Sequence, residues 1–207
     1  MNNFLDSLKE DFMNIHRENE KEKKQRHEKL KFLSKWDYWF INLARHVSQW
    51  SIDPSVKVGS VIVNRKIKQV LSVGFNGFPR GFDDNIKNYK DVEVKNTNIV
   101  HSESNAIFNA LEIGVKISDC DIYVFGLPVC FECAKALCQT KIARVVSLYP
   151  KKKIEDERST WIEKGKISES LFKMSGIKYV QLNLLSVGKT ESINKNNIEL
   201  LSVLNQE

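Results

Sequence analysis

From residue 102 onward the chain alternates short helical stretches with β-branched ones, and this alternation narrows the fold more than any other feature. Periodicity predicts helices over 102–111, 131–139 and 167–175, with strands over 122–126, 144–148 and 178–182. Strands separated by short helices imply right-handed crossovers and a sheet covered on both faces. Upstream, two β-branched runs (58–63 and 69–74) flank the polar stretch 64–68 and read as a hairpin. Before them Trp36, Trp39, Phe40, Leu43, Ala44 and Val47 recur at helical spacing, which argues for a helix that buries one face and ends near Trp50. Asp53-Pro54 breaks it. Residues 82–98 are expected to form a long surface loop, a length usually reserved for function or disorder. The class is therefore α/β.

The two ends differ in texture from this middle. In a chain of 207 residues they are trimmings around one domain, expected over 34–185. Phe4, Leu5, Leu8, Phe12 and Ile15 lie on a narrow apolar stripe, and 18–31 is almost wholly charged or polar. Residues 1–33 thus read as a charged helical arm that packs along the domain or meets another subunit. The tail 186–207 is polar until a last apolar cluster, read as a short docking helix. No apolar run approaches the roughly 20 residues a membrane span needs. Met1 runs directly into a charged segment without an apolar leader, so a cytoplasmic location is expected. The net charge of +6 comes from 32 basic and 26 acidic residues that are intermixed. It supplies no Arg-rich channel for a nucleic-acid strand near the motifs below, and none is expected as a partner.

The four cysteines crowd between Cys120 and Cys138, which suits metal binding better than a disulfide framework. Two segments carry the chemistry: His101-Ser102-Glu103 opens one predicted helix, and Cys130-Phe131-Glu132-Cys133 opens the next. Catalytic zinc keeps three protein ligands of imidazole or thiolate type and leaves one position open. A helix N-terminus favours thiolates through its free N–H groups and dipole. Parallel crossovers would bring both helix starts to one edge of the sheet, converging His101, Cys130 and Cys133. Glu103, two residues past the histidine, can then carry protons without being a ligand. Together H-x-E and C-x-x-C form the known zinc deaminase pattern. A structural four-ligand zinc site would need Cys138 or Cys120. The first is about 140° around the helix from Cys133, and the second precedes the strand at the sheet's other end.

At these residues the chain resembles the deoxycytidylate deaminases of the cytidine deaminase superfamily, over about 35–182. The likeness rests on 51–63, on Gly74-Phe-Asn-Gly-Phe-Pro-Arg-Gly81, on 101–107, on 130–135 and on 172–180. It implies a three-layer fold with a central mixed five-stranded sheet, and a zinc-dependent hydrolysis of dCMP to dUMP and ammonia, feeding thymidylate synthesis. His101, Cys130 and Cys133 would hold Zn2+ and Glu103 would shuttle the proton. Asn76 would contact the deoxyribose, the Ser102 N–H the ring carbonyl, and the Val129 carbonyl the departing amine. Tyr149 or Trp161 would wall the pyrimidine, with Tyr149 the choice and Trp161 assigned to core packing.

Two departures from the family pattern stand out. Pro128 is displaced by one, so that Val129 precedes the first cysteine, and Trp50 occupies the place where many relatives carry a phosphate-binding arginine. Lys57, Arg80 and residues of 82–98 are the remaining phosphate candidates. Many relatives are hexamers activated by dCTP with magnesium and inhibited by dTTP. The resemblance therefore implies a homo-oligomer (hexamer or dimer), with Arg80, Asp83 and Asp84 as effector and Mg2+ contacts. Runner-up readings are a deaminase of another cytosine nucleotide or nucleoside, and an idle deaminase fold that senses nucleotides. Glu103 argues against the second.

Overall fold

The computed structural model describes residues 33–150 and 160–184. Apart from Leu33, the expected arm over 1–33 lies outside the described residues, and so does the expected tail helix over 186–207.

Helix α1 (Lys35–Ser48) starts at a capping box that closes on itself: Ser34 Oγ accepts from the Asp37 N–H, and Asp37 accepts from the Ser34 N–H at 2.7 Å. Strands β1 (Gly59–Val63) and β2 (Val70–Phe75) form the expected antiparallel hairpin. Beyond them come helix α4 (Ser102–Glu112), strand β3 (Asp121–Phe125), helix α5 (Phe131–Gln139), strand β4 (Arg144–Pro150), helix α6 (Thr160–Met174) and strand β5 (Lys178–Leu184), with α2 and α3 described below. The sheet order is β2-β1-β3-β4-β5; β1 runs antiparallel to both neighbours, and β3, β4 and β5 are parallel.

The faces can be assigned from single residues, because successive side chains on a strand point to opposite sides. A Cβ at Gly59 would lie 2.1 Å from the Ala44 carbonyl oxygen, so α1 rests directly on that face of β1. The next residue, Ser60, hydrogen-bonds Ser102 of α4 on the other face. Its cross-strand partner Gly74 sits against α4 as well, where a Cβ would come within 2.3 Å of the Ser102 carbonyl and the Ala106 nitrogen. Helices thus cover both faces, with α1 on one and α4, α5 and α6 packed side by side on the other. Ile62, Ile122, Val124, Val145 and Phe172 fill the core beneath that second layer.

Two expectations are corrected. The stretch 82–98 is not a bare loop but holds two short helices, α2 (Ile86–Lys90) and α3 (Val92–Asn98). Their caps explain them: Asn85 accepts from the Lys87 N–H, and Asp91 from the Glu93 and Val94 N–H groups. Helix α6 begins at Thr160 rather than near 167. Gly165, a weak helix former, masked its first turns in the sequence, yet it is where the helix passes close to Pro128.

Candidate metal centre and substrate cavity

Because β1 is antiparallel to both neighbours, β2 and β3 run the same way, and the helices after them start at the same edge of the sheet. His101 is the N-cap of α4 and Cys130 the N-cap of α5, both in extended conformation. Gly126, at φ 120°, turns the chain between β3 and α5, where a Cβ would meet the Lys57 carbonyl at 2.4 Å. The result is a triangle of donors: His101 Nδ1 lies 3.2 Å from Cys130 Sγ and 3.4 Å from Cys133 Sγ. All three ligand atoms fall within 4.8 Å of one another. Zinc bonds of about 2.0–2.1 Å to nitrogen and about 2.3 Å to sulfur give tetrahedral N···S edges of roughly 3.5 Å, so the donor set fits that ion.

The electrostatics fit as well. The hydrogen bond from Cys133 and the nearby His101 hold the Cys130 thiol below its ordinary value, and the Cys133 N–H at the helix start also points at its sulfur. The hydrogen bond to Cys130 raises the His101 pKa. Cys120 donates to the Ser118 carbonyl at the start of β3 and Cys138 lies farther along α5, so neither belongs to the cluster.

Glu103 is 3% exposed, and burial pushes its carboxyl above the usual value. Its Oε2 accepts from Ser102 Oγ at 3.0 Å, and Ser102 Oγ lies 2.7 Å from Ser60 Oγ. The Ser102 N–H belongs to the first turn of α4 and has no intrahelical acceptor. His101, Ser102 and Glu103 line a cavity of about 530 Å³.

Residues 34–149 match the family described as the cytidine and deoxycytidylate deaminase zinc-binding region. The chain belongs to this deaminase family. All three donors and Glu103 fall inside the matched region. Among relatives, an Aliivibrio fischeri protein named "uncharacterized deaminase in luxG 3'region" is 38% identical over 152 residues, 73% of this chain and 97% of the relative. The Homo sapiens deoxycytidylate deaminase is 32% identical over 149 residues, 70% of this chain and 78% of the human one. The dCMP deaminase of cyanophage S-TIM5, solved with dCMP and dUMP, shares the fold at TM-score 0.54 and 21% identity, over 70% of this chain and 94% of that one.

The remaining predicted site residues divide into those at the cavity and those elsewhere. Asn76 lines it, with its amide fixed by the backbone: Oδ1 accepts from the Val58 N–H at 2.8 Å, while Nδ2 donates to the Val56 carbonyl and Asp53. One Oδ1 lone pair remains. Val129 is fully buried and is not among the lining residues; its carbonyl accepts from Ser168 Oγ at 2.8 Å and retains a second lone pair. Lys57 is a correction: its ammonium turns to the Ser51 carbonyl and it does not line the cavity. Tyr149 is another, since it packs in the core and accepts from Gln181 Nε2. Trp161 packs against the core, as expected, and also lines the cavity, its ring 6.3 Å from that of His101. Arg80 donates to Asn109, Asp84 accepts from Tyr89, and the Asp83 carbonyl accepts from Asn88. None of these three lines the cavity.

Sequence reasoning missed Asp53, read only as a helix breaker. It is fully buried and accepts from Ser55, Val56, Asn76 and Lys95. Burial works to raise its pKa, and the bonds from Lys95, Ser55 and Val56 together outweigh that and leave it lowered. The Asp-Pro-Ser order at 53–55 was the available signal, since an Asp side chain commonly caps a turn two residues on.

Proposed function

We propose that this family member hydrolyses dCMP to dUMP and ammonia, with His101, Cys130 and Cys133 holding zinc and Glu103 carrying the protons. One observation carries this reading: a buried carboxylate that is no part of the His-Cys-Cys triangle lines the same cavity as His101 and Cys130 of that triangle. The relatives named deoxycytidylate deaminases supply the substrate. Among the described residues no helix is long and apolar enough to cross a membrane, and a cytoplasmic place suits this small nucleotide substrate.

Zinc, when bound, supplies a Lewis acid that makes water nucleophilic near neutral pH. Glu103 takes a proton from the water as its oxygen bonds to C4 of the cytosine. Glu103 delivers that proton to the ring nitrogen, then carries the proton of the new C4 hydroxyl to the amine, which leaves as ammonia as the C4 carbonyl forms. The Ser102 N–H orients the ring carbonyl, and the Val129 carbonyl can accept from the departing amine. Trp161 excludes water from one side of the ring.

The resemblance further carries a homo-oligomer controlled by dCTP with Mg2+ and by dTTP. The side chains named for it, Arg80 and Asp84, are already bonded to Asn109 and Tyr89.

Ammonia release from dCMP, cytidine and single-stranded DNA, measured side by side on the zinc-loaded chain, tests the proposal. Release from the mononucleotide alone is expected. Release from none with zinc bound would favour a nucleotide sensor, and release from the strand would replace the substrate class.

A further inference from the structure

Building on this deaminase assignment, we infer that Lys95 and Lys164 bind the anionic end of the substrate and set the preference for a phosphorylated nucleotide over its nucleoside. Among the described residues, the Lys and Arg side chains that line the cavity are these two. Positions that would otherwise provide a cation do not: Trp50 and Ile52 are apolar and exposed, Lys57 is turned to Ser51, and Arg80 is bonded to Asn109.

His101 and Glu103 line the cavity as its reacting groups, and a chain of hydrogen bonds joins three other residues of its wall. Asn76, with one acceptor position left for a sugar hydroxyl, donates to Asp53 at 3.2 Å, and Asp53 holds Lys95 Nζ at 2.7 Å. A nucleotide likewise presents its phosphate next to its sugar.

Lys95 comes from α3 and its side chain is only 16% exposed. An ammonium has three N–H donors. One goes to the Asp53 carboxylate and one to Ser55 Oγ, leaving one for a phosphate oxygen. Held in this way, the side chain gives up little further freedom on binding. Asp53, which the bonds from Lys95, Ser55 and Val56 keep ionised against its burial, largely offsets the charge of the ammonium it holds. Lys95 therefore contributes geometry more than net charge.

Lys164, on α6, supplies the charge. Its Nζ lies over the Trp161 ring, 4.8 Å from the centroid, and no carboxylate among the described residues pairs with it. This lysine, which no carboxylate among the described residues neutralises, and the aromatic ring lining the cavity thus sit one above the other on the same helix. A neutral nucleoside fills the base and sugar positions but gives Lys164 nothing to bind.

The test compares Lys164→Met and Lys95→Met with wild type, all zinc-loaded, by kcat/KM on dCMP and on deoxycytidine. A hydrogen bond to a charged group carries enough energy that each variant is expected to lower the dCMP-to-deoxycytidine ratio roughly ten- to a hundredfold, chiefly through KM for dCMP. Lys164→Met leaves no buried charge unpaired, so it decides the matter even if Lys95→Met folds poorly. An unchanged ratio in Lys164→Met, or an equal loss on both substrates, overturns the role. Wild type that releases ammonia from deoxycytidine but not from dCMP overturns the proposed substrate, and the phosphate role with it.

Discussion

The Tyr123 hydroxyl donates to Asp37 Oδ1 over 2.6 Å, joining β3 to α1 across 86 positions of sequence. Arg144 reaches the same carboxylate from β4, with Nη1 at 2.7 Å and Nη2 at 3.3 Å. Asp37 is 3% exposed, so its charge depends on these partners. Removing the guanidinium strands a buried carboxylate, and Arg144→Met is expected to cost about 3–5 kcal/mol. Urea unfolding of wild type and variant measures this; a loss under 1 kcal/mol would be at odds with the anchor described.

The same contact makes a pH prediction. Burial alone would raise the Asp37 pKa, but the hydrogen bonds from Arg144, Tyr123 and the Ser34 N–H outweigh it and leave it lowered. A folded pKa below the unfolded one means stabilisation that is complete above the unfolded value, about 4, and is lost as pH falls through the folded value. Asp121, raised by its own burial, works in the opposite direction, so the comparison must isolate Asp37. The stability gap between wild type and Asp37→Asn should shrink on acidification below about pH 4. A gap that stays constant or widens contradicts the assignment.

Gly74 couples the sheet to the metal centre. Adding a methyl there drives it into the backbone of α4 at Ser102 and Ala106, just after His101. Gly74→Ala is expected to lose roughly 1–3 kcal/mol by overpacking and to hold zinc more weakly, because the helix that carries His101 must shift. Thermal unfolding and zinc retention during dialysis are the two readouts. Full retention with normal stability would show that the helix does not depend on that contact.

Metal content separates the four cysteines. Cys130→Ser and Cys133→Ser should lose most of their zinc, while Cys120→Ser and Cys138→Ser retain one ion per chain, as their positions outside the donor triangle require. Equal loss in all four would point to a closed structural site.

Much of this was legible in the sequence, and the failures have physical causes. Strand runs such as 58–63 and 144–148 are β-branched and bounded by turn residues, so local chemistry identifies them. The meeting of His101 with Cys130 followed from topology, since parallel crossovers start their helices at one sheet edge. Helices α2 and α3 escaped because one or two turns are too short to show a period; only their Asn85 and Asp91 caps mark them. The destinations of long side chains were not encoded locally. Lys57 has a flexible stem and found the Ser51 carbonyl, whereas Lys95, from a segment expected to be loop, found Asp53. Tyr149 lies in the core, whereas Trp161 packs against the core as expected and also lines the cavity, because α6 starts earlier than its pattern suggests.

Glu103→Gln is the most direct test, because the substitution keeps the shape and removes only the capacity to take a proton. Zinc-loaded wild type should convert dCMP to dUMP with one ammonia per turnover. Zinc-loaded Glu103→Gln should retain the ion and lose turnover by at least about two to four powers of ten. Turnover close to wild type in that variant would remove Glu103 from the chemistry and with it the mechanism proposed for this cavity.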